Sequence, residues 1–281
     1  EVFMSVEILV YILIGANVLF SWQAFSKRSL FEKYKFRIGS ILSGKEYIRM
    51  VSSAFLHADM THLLVNMIAL YSFGVAMSYS ISTLQFALLY TVSLLAGNLL
   101  ALFFNKTNYA YSAVGASGAV SGVVFASVLF YPDGNVLLFF IIPMKTWIFG
   151  ILYLLYSVYG MNKQNDNIGH EAHLGGAVAG VLLALAFDPS LALKNWWLTA
   201  ALLIIPLIIF FVKPKGGNKD YQFTILNDDK VKRTKRSVDD LYYNKEFERE
   251  KELNTLLDRV NEFGIESLSQ IEKNRLQELS K

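Results

Sequence analysis

The stretch VGASGAVSG, residues 114–122, places a serine between glycines at the start of a long uncharged segment. Ser117 lies in a Gly-x-Ser-Gly motif, and the glycines on either side let another backbone approach its hydroxyl closely. Gly118 and Gly122 have the GxxxG spacing that permits tight packing of membrane helices. Taken alone, the stretch is more often a packing motif than a nucleophilic site.

A second glycine-rich stretch, AHLGGAVAG at residues 172–180, has the same character. Its small residues Ala172, Gly176 and Gly180 recur every four positions and form another smooth helix face. Two smooth faces predict close contact between the two helices.

That contact would bring Ser117 and His173 within reach of each other. A serine hydroxyl is a poor nucleophile until a base takes its proton, and a neutral imidazole suits that task. Glu171 is two residues from His173 and therefore points elsewhere on the helix, so no acidic third member is evident.

His62 and Asn66 stand four residues apart and share one helix face. Both can present hydrogen-bond donors to an oxyanion, together with the backbone N–H of Ser117. Interhelical hydrogen bonding is an equally good explanation of the pair. The four histidines of the chain all lie at or near the starts of two apolar segments: His57, His62, His170 and His173.

The composition indicates a membrane protein with a charged tail. The 281 residues are 54% hydrophobic and 17% charged, whereas soluble domains carry about 25% charged residues. Residues 1–212 hold 20 charged side chains and residues 213–281 hold 29. A single soluble domain is excluded, and the lack of cysteine excludes disulfide modules, zinc fingers and iron–sulfur sites. The net charge of +3 is too weak and scattered to indicate nucleic-acid binding.

Uncharged runs locate the membrane spans, since a helix needs roughly 20 mostly apolar residues to cross a bilayer. Residues 60–105 are uncharged for 46 positions, and the polar cluster at residues 78–83 divides them into two spans. We expect an all-α membrane protein with seven spans, at residues 8–22, two within 60–105, one from about 114 to 132, and at 146–162, 171–187 and 196–212. Pro206 is tolerated in the last of these as a kink.

The charged tail, residues 213–281, predicts a soluble segment with two short helices after a basic linker at residues 230–236. Apolar residues recur at helical spacing along the first helix and form one stripe, which comprises Leu253, Leu256, Leu257, Val260 and Phe263. We expect this stripe to pack on the tail itself rather than on a partner. Gly264 is expected to end that helix, and Ser269 with Glu272 resembles a capping box.

The starts of the second, fourth and sixth spans face one side of the membrane, so Ser117, His173, His62 and Asn66 cluster at one depth. These motifs, with Arg49 in the loop before the second span and His57, resemble the rhomboid family of intramembrane serine proteases. The resemblance covers roughly residues 5–190.

The resemblance implies a six-helix rhomboid core at residues 1–190, leaving 191–212 as an additional transmembrane helix. It implies a dyad of Ser117 as nucleophile and His173 as general base, with an oxyanion hole formed by His62, Asn66 and the Ser117 backbone. Supporting roles would fall to His57, Arg49, Gly115, Gly118, Gly176 and Gly180. Substrates would be transmembrane segments of other membrane proteins in a cell or inner membrane, cleaved without metal or cofactor at a site open to the non-cytoplasmic side. Substrate identity and oligomeric state stay open.

Three positions depart from the family pattern. Ile48 precedes Arg49 where a tryptophan is common, and the acidic residue often found at the far end of the second span is missing between Gly74 and Ser78. Ser121 stands where an aromatic side chain frequently packs against the histidine ring.

The loop at residues 23–53 contains seven basic residues. The positive-inside rule places such a loop in the cytoplasm, whereas the family resemblance places it outside. The side occupied by the tail stays open as well.

Two other functions compete with a protease. One is a catalytically inactive relative that binds membrane helices without cutting them. The other is a transporter in which the histidines and Asp59 line a metal-ion path. Against the transporter, residues 170–173 read HExH rather than the HExxH of zinc proteases, and Ser117 would have no role.

Overall fold

Helices account for most of the chain. The computed structural model describes residues 4–138, 141–163, 168–212, 252, 256, 260 and 264–279, which fall in two units, Glu1–Gly217 and Asn218–Lys281. The helices of the first unit are α1 (Val6–Ser26), α2 (Arg28–Tyr34), α3 (Ile38–Leu42), α4 (Arg49–Ser52), α5 (Met60–Met77), α6 (Thr83–Asn105), α7 (Ser117–Phe130), α8 (Thr146–Lys163), α9 (His170–Phe187), α10 (Leu191–Lys194) and α11 (Trp196–Val212).

In the part of the chain that the structure describes, two short antiparallel strand pairs interrupt the helices. The two-residue strand β1 (Phe36–Arg37) pairs with β2 (Ser112–Ala113), which ties the loop after α1 to the loop before α7. The strands β3 (Asn135–Leu138) and β4 (Ile142–Lys145) pair with each other between α7 and α8. Neither pair was predicted from the sequence.

Among the described residues, four helices are long and apolar enough to cross a bilayer, namely Val6–Ser26, Met60–Met77, Thr83–Asn105 and His170–Phe187. Three shorter apolar helices lie at Ser117–Phe130, Thr146–Met161 and Trp196–Leu207. The structure therefore supports a mostly helical membrane protein, while the count of seven spans stays a prediction.

The helix boundaries follow local capping chemistry. The polar cluster at residues 78–83 separates α5 from α6, as predicted, and Ser82 and Gln85 form a capping box at the start of α6. The fourth apolar helix begins at Ser117 and not near Val114. Gly115 has a φ of +126°, which is incompatible with a right-handed helix and delays its start.

Helix α7 lies at the centre of the first unit. Almost all of its residues from Gly118 to Leu129 are buried, and it packs against α5, α6, α8 and α9. A helix that is apolar all round and surrounded by other helices is an interior element. The packing of α7 against these helices therefore fixes the position of Ser117 at its N-terminus.

The predicted contact between the two glycine-rich faces is present. A β-carbon at Gly176 would collide with the carbonyl oxygen of Gly118, and one at Gly180 would collide with the carbonyl oxygen of Gly122. The other side of α9 is equally close to α6, since a β-carbon at Gly97 would lie 2.6 Å from the oxygen of Ala172. Helix α9 is thus wedged between α6 and α7 with no room for larger side chains at these points.

Ion pairs and hydrogen bonds of two basic residues stabilise the loop after α1. The guanidinium of Arg49 donates to Glu46 at 2.6 Å and to the backbone oxygens of Glu32 and Lys35 at 2.8 and 2.9 Å. The ammonium of Lys35 lies 2.6 Å from a carboxylate oxygen of Glu32. Arg49 and Lys35 are both buried, so these two cations hold the loop together.

In the second unit, Leu256, Leu268 and Leu279 form a small buried cluster, with Val260 and Leu276 packed against it. The predicted capping box is confirmed by the backbone N–H of Ser269 donating to Glu272 at 2.8 Å and the reciprocal bond at 3.3 Å. It begins the helix Gln270–Leu279.

Gly264 takes a φ of +79°, in a region that favours glycine, and its backbone N–H donates to the oxygen of Val260 at 2.9 Å. Of the predicted stripe, Leu256 and Val260 are described and lie on this cluster. The predictions for Leu253, Leu257, Phe263 and the basic linker at residues 230–236 concern positions outside the described residues.

Replacing Gly176 by alanine tests the contact between α7 and α9. We expect Gly176→Ala to lower the thermal midpoint in detergent, because its methyl group must push the two helices apart at a cost of about 1–3 kcal/mol. Gly15→Ala in α1 is the matched control, since a β-carbon there meets nothing within 4 Å. Equal midpoints for the two variants would contradict the close contact.

Candidate active site

Ser117 is the first residue of α7 and follows a sharp turn. Gly115 makes the turn with its positive φ and donates its backbone N–H to the oxygen of Ser53 at 3.0 Å. Ser117 itself is half-buried. Its hydroxyl therefore sits at the N-terminal end of a buried helix, where backbone N–H groups and the helix dipole favour negative charge.

The ring of His62 and the hydroxyl of Ser117 both lie on the side of Gly115 where a β-carbon would stand. A β-carbon on Gly115 would lie 2.8 Å from both Cε1 and Nε2 of His62 and 3.7 Å from Oγ of Ser117. Residue 115 must therefore be glycine both for its backbone angle and for the space that the imidazole fills. Asp59 caps the start of α5 by accepting the backbone N–H of His62 at 2.8 Å.

Asn66 lies one turn after His62 and is buried. One N–H of its side-chain amide donates to the backbone oxygen of His62 at 2.9 Å. This bond fixes the amide against α5 and leaves its other N–H as the group that could serve an oxyanion.

His57 links α1 to the turn before Ser117. Its Nδ1 lies 2.9 Å from Oγ of Ser21, and that hydroxyl has its own acceptor in the oxygen of Phe55 at 3.0 Å. Nδ1 of His57 therefore carries the proton and donates to Ser21, which leaves Nε2 to accept the backbone N–H of Ala116 at 3.4 Å.

Burial holds this ring neutral. His57 is fully buried, and the loss of hydration lowers its pKa to about 3, with the neighbouring His62 acting in the same direction. The pattern of one donating and one accepting nitrogen requires the same neutral form.

His173 enters the site from α9. A β-carbon at Gly118 would lie 3.3 Å from the oxygen of Ala172, so Ser117 and His173 each adjoin a residue of this contact, one on α7 and the other on α9. The imidazole of His173 is buried, and the ring of Tyr153 packs against it with centroids 5.8 Å apart.

The other sequence-predicted residues divide into two groups. Gly115, Gly118, Gly176 and Gly180 provide the turn and the helix contact described above. Arg49 is bonded within the loop after α1 and lies among Glu32, Lys35 and Glu46. Within the described ranges, no three His, Asp or Glu side chains are placed to hold a metal ion.

Sequence reasoning missed Ser21 and Tyr153. Ser21 is a buried hydroxyl inside an apolar helix, and the cost of a polar group in a membrane could have marked it as a candidate. Tyr153 carried no such signal, because aromatic residues are common along membrane helices as packing groups.

A family model decides the identity. The Rhomboid domain model matches residues 44–189, which is more than half of the chain. This chain belongs to the rhomboid family. A second model, described as a family of unknown function (DUF6576), matches residues 236–281. With its apolar helices, this rhomboid is an integral membrane protein.

Similar proteins come from fungi, plants and bacteria. The rhomboid is 33% identical over 180 residues to Rhomboid protein 1, mitochondrial, of Saccharomyces cerevisiae, covering 62% of this chain and 51% of the relative. It is 26% identical over 190 residues to RHOMBOID-like protein 12, mitochondrial, of Arabidopsis thaliana, covering 61% and 55%. It is 27% identical over 174 residues to Rhomboid protease GluP of Bacillus subtilis, covering 62% and 32%. The chain thus spans about half or less of the length of these relatives.

The neutral state of His57 makes stability depend on pH. Below about pH 6.5 the unfolded chain protonates this histidine, while the folded protein does so only near pH 3. The free energy of unfolding should therefore fall as the pH is lowered through this window.

The variant His57→Gln cannot titrate but can still donate and accept hydrogen bonds. We expect it to be less stable than the wild type at pH 8, and the gap between their thermal midpoints in detergent to narrow by pH 4.5. A gap that stays constant from pH 8 to 4.5 would contradict a buried neutral His57.

Proposed function

We propose that this rhomboid is an intramembrane serine endopeptidase with Ser117 as nucleophile and His173 as general base. The observation that carries the proposal is the turn at Gly115, where the Ser117 hydroxyl and the His62 ring share one open side. His173 lies across the contact between Gly118 and Ala172. A hydroxyl, a base and a hydrogen-bond donor around one small space are the components of acyl transfer.

In the first step, Oγ of Ser117 attacks the carbonyl carbon of the scissile peptide bond while His173 takes the hydroxyl proton. The tetrahedral intermediate collapses as His173 donates that proton to the departing amine. Water then attacks the acyl-enzyme with His173 again acting as base, which releases the new carboxyl end and restores Ser117.

The oxyanion of each tetrahedral intermediate needs donors that are already in place. The backbone N–H of Ser117, the ring of His62 and the free N–H of Asn66 supply them. The N-terminal end of α7 adds the positive end of its helix dipole. The Ala116 N–H points to His57 instead, so His57 acts by fixing the turn.

The substrates we propose are transmembrane segments of other membrane proteins, which reach the site within the bilayer. The catalytic core would be the six helices within residues 1–190, followed by an added membrane helix at 191–212 and a soluble tail at 213–281. No metal or cofactor takes part in the steps above.

We place the active site on the non-cytoplasmic side. Two of the seven cations that argue for the opposite orientation, Lys35 and Arg49, are buried and paired with Glu32 and Glu46. A buried, paired cation has little attraction for anionic head groups, so the positive-inside signal of this loop is weaker than its count. This supports the family-like orientation.

Replacing either dyad residue should abolish cleavage. We expect Ser117→Ala and His173→Ala to lower the cleavage rate of a single-pass membrane substrate in liposomes by at least about 10³-fold, since each removes a step that the other cannot replace. Unchanged thermal midpoints would show that both variants fold.

Ser127→Ala is the matched control. Ser127 is a buried serine on the same helix, ten residues and about 15 Å farther along. The Ser127→Ala variant should cleave the substrate at the wild-type rate. A Ser117→Ala variant as fast as the wild type would remove the proposal, and a wild type that binds the substrate helix without cutting it would favour the inactive relative.

A further inference from the structure

We propose that Tyr153 of α8 positions the His173 imidazole, acting through a hydrogen bond to Ser121. This inference rests on the proposed dyad and adds an element to it. Tyr153 does not touch the reacting atoms; it determines where the base stands.

The ring of Tyr153 packs directly on the ring of His173. The two centroids are 5.8 Å apart and the ring planes meet at 61°, an edge-to-face arrangement. Such pairs are favoured because the electron-poor edge of one ring faces the electron-rich face of the other. The contact therefore restricts the orientation of the imidazole as well as its position.

The hydroxyl of Tyr153 is anchored on the nucleophile's helix. It lies 2.7 Å from Oγ of Ser121, which is fully buried one turn after Ser117. Buried hydroxyls in native proteins are nearly always hydrogen-bonded. This hydrogen bond therefore provides a partner for both hydroxyls and fixes the position of each.

Two further rings fix the tilt of Tyr153. Phe125 of α7 stacks on it with centroids 5.6 Å apart and an interplanar angle of 30°. Phe149 of α8 lies against it at 6.0 Å. One side chain therefore connects α7, which carries Ser117, with α9, which carries His173.

A dyad needs such a support more than a triad does. In a triad, an acid bonded to the far nitrogen of the histidine holds the ring in its productive orientation. The acid nearest in sequence, Glu171, stands two residues before His173 and therefore projects to another side of α9. Ring packing by Tyr153 supplies the orientation in another way.

The arrangement also explains the serine at position 121. The family resemblance expects an aromatic side chain there to pack against the histidine. In this chain the aromatic ring comes from α8, and the small Ser121 both leaves space for it and binds its hydroxyl. Ser121 and Tyr153 therefore act together on the orientation of the imidazole.

Three variants separate the ring from the hydroxyl. Tyr153→Phe and Ser121→Ala each remove the same hydrogen bond and should lower kcat about fivefold to tenfold. Their combination should cost no more than either alone, because both act on one bond. Tyr153→Leu removes the ring, and a misplaced base costs up to about 100-fold in kcat.

Two residues on the same helix are the matched controls. Tyr156→Phe removes a hydroxyl but keeps the ring that packs on His170, with centroids 5.2 Å apart. Trp147→Leu removes a ring that packs on Trp197 at 5.3 Å, and both variants should keep the wild-type kcat. Rates are measured on a single-pass membrane substrate and divided by the concentration of sites that react with a fluorophosphonate.

A positioning role predicts lower kcat per reactive site with KM changed by less than about twofold. Fewer reactive sites with unchanged kcat per site would mean that Tyr153 only supports folding, and would overturn the inference. Wild-type kcat in Tyr153→Phe and Ser121→Ala would also overturn it, even where Tyr153→Leu fails to fold. A wild type that neither cleaves nor reacts would remove the proposed function first, and this inference with it.

Discussion

The backbone contact between α7 and α9 is the constraint on which the rest of the site depends. A β-carbon at Gly176 or Gly180 of α9 would collide with the backbone oxygen of Gly118 or Gly122 of α7. In a membrane the hydrophobic effect does not hold helices together, so close packing of small residues has to do so. Because the contact fixes the distance between the two helices, it also fixes how far His173 on α9 lies from Ser117 on α7.

Much of the fold is readable from the sequence because membrane helices follow simple rules. The uncharged run at residues 60–105 divides at residues 78–83, and Ser269 caps the final helix as its spacing with Glu272 predicts. The two smooth faces also meet as expected. The division of the run and the cap are decided by neighbours along the chain. The contact between the two faces joins distant segments, but the four-residue period of small side chains on each helix suffices to predict it.

What the sequence did not predict depends on contacts between distant segments. Helix α7 starts at Ser117 because Gly115 has a positive φ. The neighbouring His62 ring leaves no space for a side chain at position 115. Ser21 is 36 positions from its partner His57, and no local pattern joins them. Tyr153 reaches Ser121 and His173 only because three helices pack side by side, so its role is visible in three dimensions alone.

The most direct test of the central claim is mapping the site at which a fluorophosphonate reacts. Such a probe modifies a serine only where a nearby base activates the hydroxyl, so peptide mass spectrometry of the labelled protein reports the nucleophile and its base together. We expect one adduct on Ser117 in the wild type and labelling slowed by about 10³-fold or more in His173→Ala. An adduct on another serine, or equal labelling of Ser117 without His173, would contradict the account.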